Sequence, residues 1–243
     1  MSAQPITDPD LAEVAEYNPR PNRQEANLIF RPAQRVHGSF LAGGEKRLLV
    51  WLAERMPAWV TSDHLTALGA VAMALAGLML ALSRWFPTAL LGANLFLCLN
   101  WFGDSLDGTL ARVRNRQRPR YGFYVDHVVD VAGAVALLAG YGVSGAMHPL
   151  VASALLVGFL MVMAEVLLAT YCLGSFHLSF WRMGPTELRL FLIAGNVALL
   201  FRQTVFGWQI FDVGGTIGAA GLFVVFCIAS ARHTRDLYGQ ERL

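Results

Sequence analysis

Charge is scarce in this chain. Of its 243 residues only 15% are Asp, Glu, Lys or Arg, while 55% are hydrophobic, and the mean hydropathy is +0.46. An ordinary soluble domain carries about 25% charged residues, so this composition excludes one and points to a membrane protein. Cysteine is also sparse. Cys98, Cys172 and Cys227 each fall inside an apolar run with no partner close in sequence, so they read as small core residues, not as a disulfide or metal set. No Cys or His cluster has the spacing of a zinc site. No repeat of fixed period is present. The first 39 residues are polar and carry both charge signs, which is unlike a signal peptide. The net charge of +2 says little by itself, and no nucleic-acid partner is expected.

What the chain has is apolar runs of the length a bilayer of ~30 Å requires. Six membrane helices are expected, over 64–83, 88–113, 123–144, 149–172, 187–203 and 210–231, with the fifth interrupted at Gly195 and Asn196. The fold class is therefore all-α and integral to the membrane. Ahead of the spans, Glu45 to Met56 sets Leu48, Leu49, Trp51, Leu52 and Met56 against Glu45, Lys46, Arg47, Glu54 and Arg55. That pattern predicts an amphipathic interfacial helix within 40–60, ended by Pro57. Residues 1–39 read as a cytoplasmic arm, 61–232 as a six-helix catalytic domain and 233–243 as a cytoplasmic tail. With six spans, all but two of the 19 basic residues fall on the side of the termini; only Arg84 and Arg202 lie opposite. This bias puts both termini on the cytoplasmic side of what is expected to be the cytoplasmic membrane.

The segment from Asp104 to Asp130 carries the chemistry. Asp104 and Asp107 are three residues apart, and Asp126 and Asp130 are four apart. On helices each pair presents its carboxylates on one face. The first pair ends the second span and the second pair begins the third, so a short basic connection brings all four together. Carboxylates at membrane depth are costly unless neutralised. A pair of divalent cations, with a summed charge of about +4, would match them, and oxygen ligands suit Mg²⁺ or Mn²⁺.

Asp104-x-x-Asp107-Gly108-x-x-Ala111-Arg112, nine residues, then Gly122-x-x-x-Asp126-x-x-x-Asp130, resembles the signature of the CDP-alcohol phosphotransferases. The resemblance implies transfer of a substituted phosphate from a CDP-linked donor to an alcohol with release of CMP. It implies Asp104, Asp107 and Asp126 as metal ligands. Asp130 would lie near the second metal and act as base toward the acceptor hydroxyl. Gly108, Ala111 and Gly122 would flank the donor. From spacing alone these small residues serve equally well in tight helix packing. Arg112 is placed to pair with a phosphate. Thr61 to Thr66 resembles the family segment that contributes to the cytidine pocket, which adds Asp63, His64, Leu65 and Thr66 to the donor site. Ser62 stands where the family usually has proline, and the same segment also satisfies a plain helix N-cap. A homodimer is the family's usual state.

Other positions stay open. His127 is either a helix-surface or outer histidine, or a ligand or base. Arg114, Arg116, Arg118 and Arg120 read as a solvated positive loop or as anion ligands. Glu165 lies inside the fourth span, where an acid is functional or makes a structural hydrogen bond. Glu187 follows Gly184 and Pro185 at the head of the fifth span, where capping explains it. Glu165, Glu187 and His127 are the acceptor-side candidates. The D-H-x-x-D and G-P-x-E patterns also resemble the branch that uses CDP-choline or CDP-ethanolamine with diacylglycerol; the other branch uses CDP-diacylglycerol with a small alcohol. Either way, one substrate is a lipid. An intramembrane prenyltransferase and a divalent-cation transporter are the competing classes. The first has its acidic motifs far apart, and the second leaves Gly108, Ala111, Arg112 and Gly122 unexplained.

Overall fold

The computed structural model describes residues 42–173, 185–201, 204–205 and 208–241. The arm over 1–39, together with Arg182, Gly184 and Arg202, lies outside these residues. Among the described residues there are seven helices and one minimal β ladder: α1 (Ala42–Arg55), α2 (Ser62–Leu82), α3 (Ala89–Val113), α4 (Pro119–Ser144), α5 (Pro149–Leu173), α6 (Pro185–Phe201), β1 (Thr204–Val205), β2 (Trp208–Gln209) and α7 (Ile210–Gln240). The ladder is antiparallel, with Thr204 opposite Gln209. Helix starts follow local chemistry. Thr61 and His64 form a reciprocal capping box at α2, and Pro119 sits at the first turn of α4. Gly145 ends α4 in the left-handed region at φ 78°, where a side chain would be strained.

α2 is the central element, packed against both α3 and α4. Its buried residues, Leu65, Gly69, Ala72, Ala76, Gly77 and Leu80, recur at helical spacing along one stripe. Glycine sets how near the neighbours come. A Cβ on Gly103 would lie 2.5 Å from Leu65 O and 2.6 Å from Gly69 N, so α3 touches α2 backbone to backbone. Gly77 and Gly140 do the same between α2 and α4. A polar relay links α3, α4 and α6 away from these contacts. Tyr141 Oη donates to Asn196 Oδ1 at 2.9 Å, and Asn196 Nδ2 donates to Asn94 Oδ1 at 2.8 Å.

Among the described residues, four helices are long and apolar enough to cross a membrane: α2, α4, α5 and α7. α3 carries Asn94, Asn100, Asp104 and Asp107 within its run, and α6 has only 17 residues. α6 is continuous through Gly195 and Asn196, contrary to the expected interruption. Gly195 instead makes room for the Phe211 ring, and Asn196 is fully buried in the polar relay. α4 begins at Pro119 rather than 123. α7 runs on to Gln240, so most of the expected tail is helix; no proline interrupts that stretch. The three cysteines are exposed rather than in the core, on faces that a bilayer would cover with lipid. A helix, α1, lies within the expected 40–60, and its apolar residues divide. Leu49 and Ala53 pack with Val60, Leu65, Leu106 and Leu110, while Leu48 and Trp51 face outward.

The backbone contact at Gly103 makes a direct test. Gly103→Ala should destabilise the protein by about 1–3 kcal/mol, because neither listener to the new methyl is a side chain that can swing away. Gly221→Ala, where nothing approaches within 4 Å, should be neutral or slightly stabilising. Thermal unfolding in detergent measures both; equal midpoints would contradict the close packing.

The up-and-down path of α2 to α5 also places the α3–α4 connection at one end and the α2–α3 connection at the other. A single cysteine at exposed Gln117 should label from the cytoplasmic side only, and one at exposed Trp85 from the opposite side only. Labelling of both from one side of sealed membranes would contradict this arrangement.

Candidate active site

α3 supplies Asp104 and Asp107, and α4 supplies Asp126 and Asp130. One carboxylate oxygen from each of Asp104, Asp126 and Asp130 lies within 4.8 Å of the others. All four aspartates line one cavity, whose walls are Thr66, Gly69, Ala70 and Met73 of α2, Asn100 of α3, and Val129 and Gly133 of α4. Asp107 stands apart from the group of three. Its Oδ2 accepts from Thr66 Oγ1 at 2.6 Å, and its Oδ1 accepts from the Gly108 N–H. Ser62 Oγ donates to the Asp107 carbonyl at 2.9 Å. The first turn of α2 is thus bonded to the aspartate motif from 41 and 45 residues away. Three carboxylate oxygens this close repel one another unless cations offset them. An all-oxygen set of this kind fits Mg²⁺ or Mn²⁺.

The remaining residues expected at the donor site separate. Thr66 lines the cavity. Asp63 pairs with Arg118, whose guanidinium also stacks over the Tyr121 ring at 4.2 Å. His64 Nδ1 accepts from the Thr61 N–H at 3.3 Å in the capping box. Leu65 is 3% exposed and belongs to the apolar cluster beneath α1, not to the cavity wall. Among the described residues, a Cβ on Gly122 would meet nothing within 4 Å, and one on Gly108 would meet only Arg112 Nη1, at 3.6 Å. Neither glycine is therefore spent on helix packing there, whereas Gly69, Gly77, Gly103 and Gly140 are. Ala111 is half-buried one turn beyond Gly108. Arg112 is exposed and donates to Thr109 Oγ1 at 3.0 Å.

Arg114 differs from a solvated loop residue. It donates to the carbonyls of Met56 and Pro57, each at 2.9 Å, and to that of Val60, clamping the α1–α2 turn onto the end of α3. His127 Nδ1 lies 2.7 Å from Phe123 O within its own helix, and its ring is 4.1 Å from the Phe123 ring. Glu165 is buried on α5, 2.5 Å from His233 Nδ1 on α7. Glu187 sits half-buried in the first turn of α6.

Two residues matter here whose role the sequence alone does not reveal. Arg189 Nε donates to Asn100 Oδ1 at 2.9 Å, and its Nη2 meets Asp104 Oδ2 at 2.6 Å. In the sequence it reads only as one more cytoplasmic-side basic residue. An arginine one turn into an apolar helix needs an acidic partner, and that is the signal it carries. Glu45 Oε1 accepts from Trp101 Nε1 at 2.8 Å and from Thr186 Oγ1 at 2.7 Å, joining α1, α3 and α6. In the sequence Glu45 is one of the charges on the polar side of α1.

Four aspartates on two neighbouring helices of a helical membrane fold form an acidic cleft suited to divalent cations. The chain belongs to the CDP-alcohol phosphatidyltransferase family, whose profile matches residues 59–228. That span starts beside the capping box of α2, takes in the whole cavity and ends within α7. No curated protein sequence matches the chain. Membership supports a transferase of phosphate groups in phospholipid synthesis, integral to the membrane and from a family that uses divalent metals.

Proposed function

We propose that the chain transfers a substituted phosphate from a CDP-linked donor to an alcohol acceptor and releases CMP. The observation that supports this most directly is the convergence of Asp104, Asp126 and Asp130 in a cavity that Asp107 and Thr66 also line. Asp104, Asp107 and Asp126 would hold the divalent ions, Mg²⁺ or Mn²⁺, as a pair, with Asp130 beside the second. Bound there, such ions supply Lewis-acid polarisation of the donor phosphates and offset charge on the leaving group. Asp130, exposed and lining the cavity, takes the proton of the acceptor hydroxyl. The alcohol oxygen then bonds to the donor phosphorus as the phosphorus–oxygen bond to CMP breaks, and CMP leaves with the electron pair.

Open space around Gly108 and Gly122 gives a nucleotide access to helix backbone on both sides of the cleft. Asp63, His64 and Thr66 at the head of α2, with Ala111 and Arg112 beyond Gly108, complete the donor side. Glu165, Glu187 and His127 remain the acceptor-side candidates. The pairing of Glu165 with His233 favours a structural part for that acid. We further propose six spans, with α3 and α6 joining the four most apolar helices, a cytoplasmic cleft and termini, α1 at the membrane interface, and a homodimer.

Donor and acceptor are separated by assay. Purified protein given CDP-diacylglycerol, CDP-choline or CDP-ethanolamine should release CMP from one donor class only. CMP release from none of them would favour the prenyltransferase or transporter reading. EDTA should silence the enzyme, and Mg²⁺ or Mn²⁺ should restore it. Asp104→Asn and Asp126→Asn should each abolish CMP release in a protein that stays folded in detergent. Full activity in excess chelator contradicts the metal reading.

The base is tested separately. Asp130→Asn should lower turnover by about 10²-fold or more, with donor affinity closer to wild type than in Asp104→Asn. His127→Ala should be milder. A dead His127→Ala that still binds donor, beside an active Asp130→Asn, would move the base to the histidine.

A further inference from the structure

Arg189 lies on α6, 85 residues from Asp104 in sequence, and its side chain is only 11% exposed. It is not part of the cavity wall, which Asp104 and Asn100 do form. Its two bonds go to these two residues, so it stands behind the wall and grips it. Asn100 is itself fixed, because its Nδ2 donates to Gly69 O on α2 at 2.9 Å. The result is a continuous chain of hydrogen bonds from the α2 backbone through Asn100 and Arg189 to the Asp104 carboxylate. The planar guanidinium suits this task. It presents donors at fixed angles, and here Nε and Nη2 take one acceptor each. A carboxylate held this way cannot swing about its side-chain torsion without breaking a charged bond.

We infer that Arg189 is a positioning residue for the metal centre: it locks Asp104 into the orientation in which Asp104 meets Asp126 and Asp130. This rests on the metal reading proposed above. The assignment is distinct from a simple electrostatic one, because the two predict effects of opposite sign. A positive charge next to a cation site repels the cation, so removing it should tighten metal binding. If the charge matters less than the orientation it enforces, removing it should weaken binding, as loss of a partner bonded to a metal ligand commonly does by about 10–100-fold. The orientation effect should prevail. The fork also neutralises part of the charge on Asp104, so its loss leaves a mobile carboxylate beside two others.

α6 has a second attachment that makes a control. Thr186 Oγ1 donates to Glu45, one turn before Arg189, and touches neither Asp104 nor the cavity. Thr186→Val should loosen α6 as a structural contact does and leave the orientation of Asp104 alone.

The experiment titrates Mn²⁺ alone against the purified full chain in detergent, reading free Mn²⁺ by electron paramagnetic resonance, with thermal unfolding in parallel. Arg189→Gln should raise the Mn²⁺ dissociation constant by about 10-fold or more. Arg189→Lys, which keeps the charge but holds one acceptor at a time, should fall between Arg189→Gln and wild type. Thr186→Val should lower the unfolding midpoint with little change in Mn²⁺ affinity. An unchanged or tighter Mn²⁺ affinity in Arg189→Gln overturns the inference, as does equal weakening by Thr186→Val. Should Arg189→Gln fail to fold, Arg189→Lys decides: wild-type affinity there overturns it. Asp126→Asn separates the two levels. If it loses Mn²⁺ while Arg189→Gln does not, only the positioning role fails. If wild type itself binds no Mn²⁺, the metal reading and this inference fall together.

Discussion

The approach of α2 to α3 and α4, with backbone against backbone at Gly69, Gly77, Gly103 and Gly140, governs the rest of the molecule. Larger residues at these positions would push the helices toward ordinary separations of about 8–10 Å. Asp104 and Asp107 sit within about one turn beyond Gly103 on α3, and Asp126 and Asp130 lie within about two turns before Gly133 on α4. The aspartates of two different helices can therefore meet only because a third helix seats both of them so closely. Two small residues, Gly69 and Gly133, also form part of the cavity wall.

A cluster of acids within a membrane fold needs compensation, and the chain supplies it from several directions. Thr66 and the Gly108 N–H hold Asp107, and Arg189 holds Asp104. Elsewhere several buried or half-buried polar groups are joined in pairs and short relays, as with Tyr141, Asn196 and Asn94, or Glu45 with Trp101 and Thr186. Each joins helices that are distant in sequence. Hydrogen bonds of this kind have no water to compete with in a lipid setting, which is why a few of them can fix the geometry of an otherwise apolar bundle.

What the sequence shows plainly is whatever depends on local spacing. The two aspartate pairs, the capping segment at Thr61 and the apolar runs are all periodic features within one or two turns, and the helices form where those features lie. What it does not show depends on partners far along the chain. Arg189 and Glu45 are single charges among many until folding brings them to Asp104, Trp101 and Thr186. His233 gives no sign of Glu165 across 68 residues. The cysteines mislead for a related reason: in a membrane fold an apolar run does not say which of its faces meets protein and which meets lipid. Glycine is ambiguous in the same way. Gly103 and Gly108 look alike in the sequence, yet one is pressed against a neighbouring backbone and the other faces open space.

α7 has a different dependence. Among the described residues little of its apolar length is fully buried, and its principal neighbour is α5. Two polar clasps join that pair: the His148 N–H to Asp212 at 2.6 Å just before α5 begins, and His233 to Glu165 near the other end. A smooth apolar rod in lipid is free to spin about its axis, since every face costs nearly the same. Two clasps, about 30 Å apart along α7 at 1.5 Å per residue, remove that freedom. α5 and α7 must then travel as one stiff plank beside the catalytic helices, and a bilayer that thickens or thins will tilt the plank as a whole before it parts its two members.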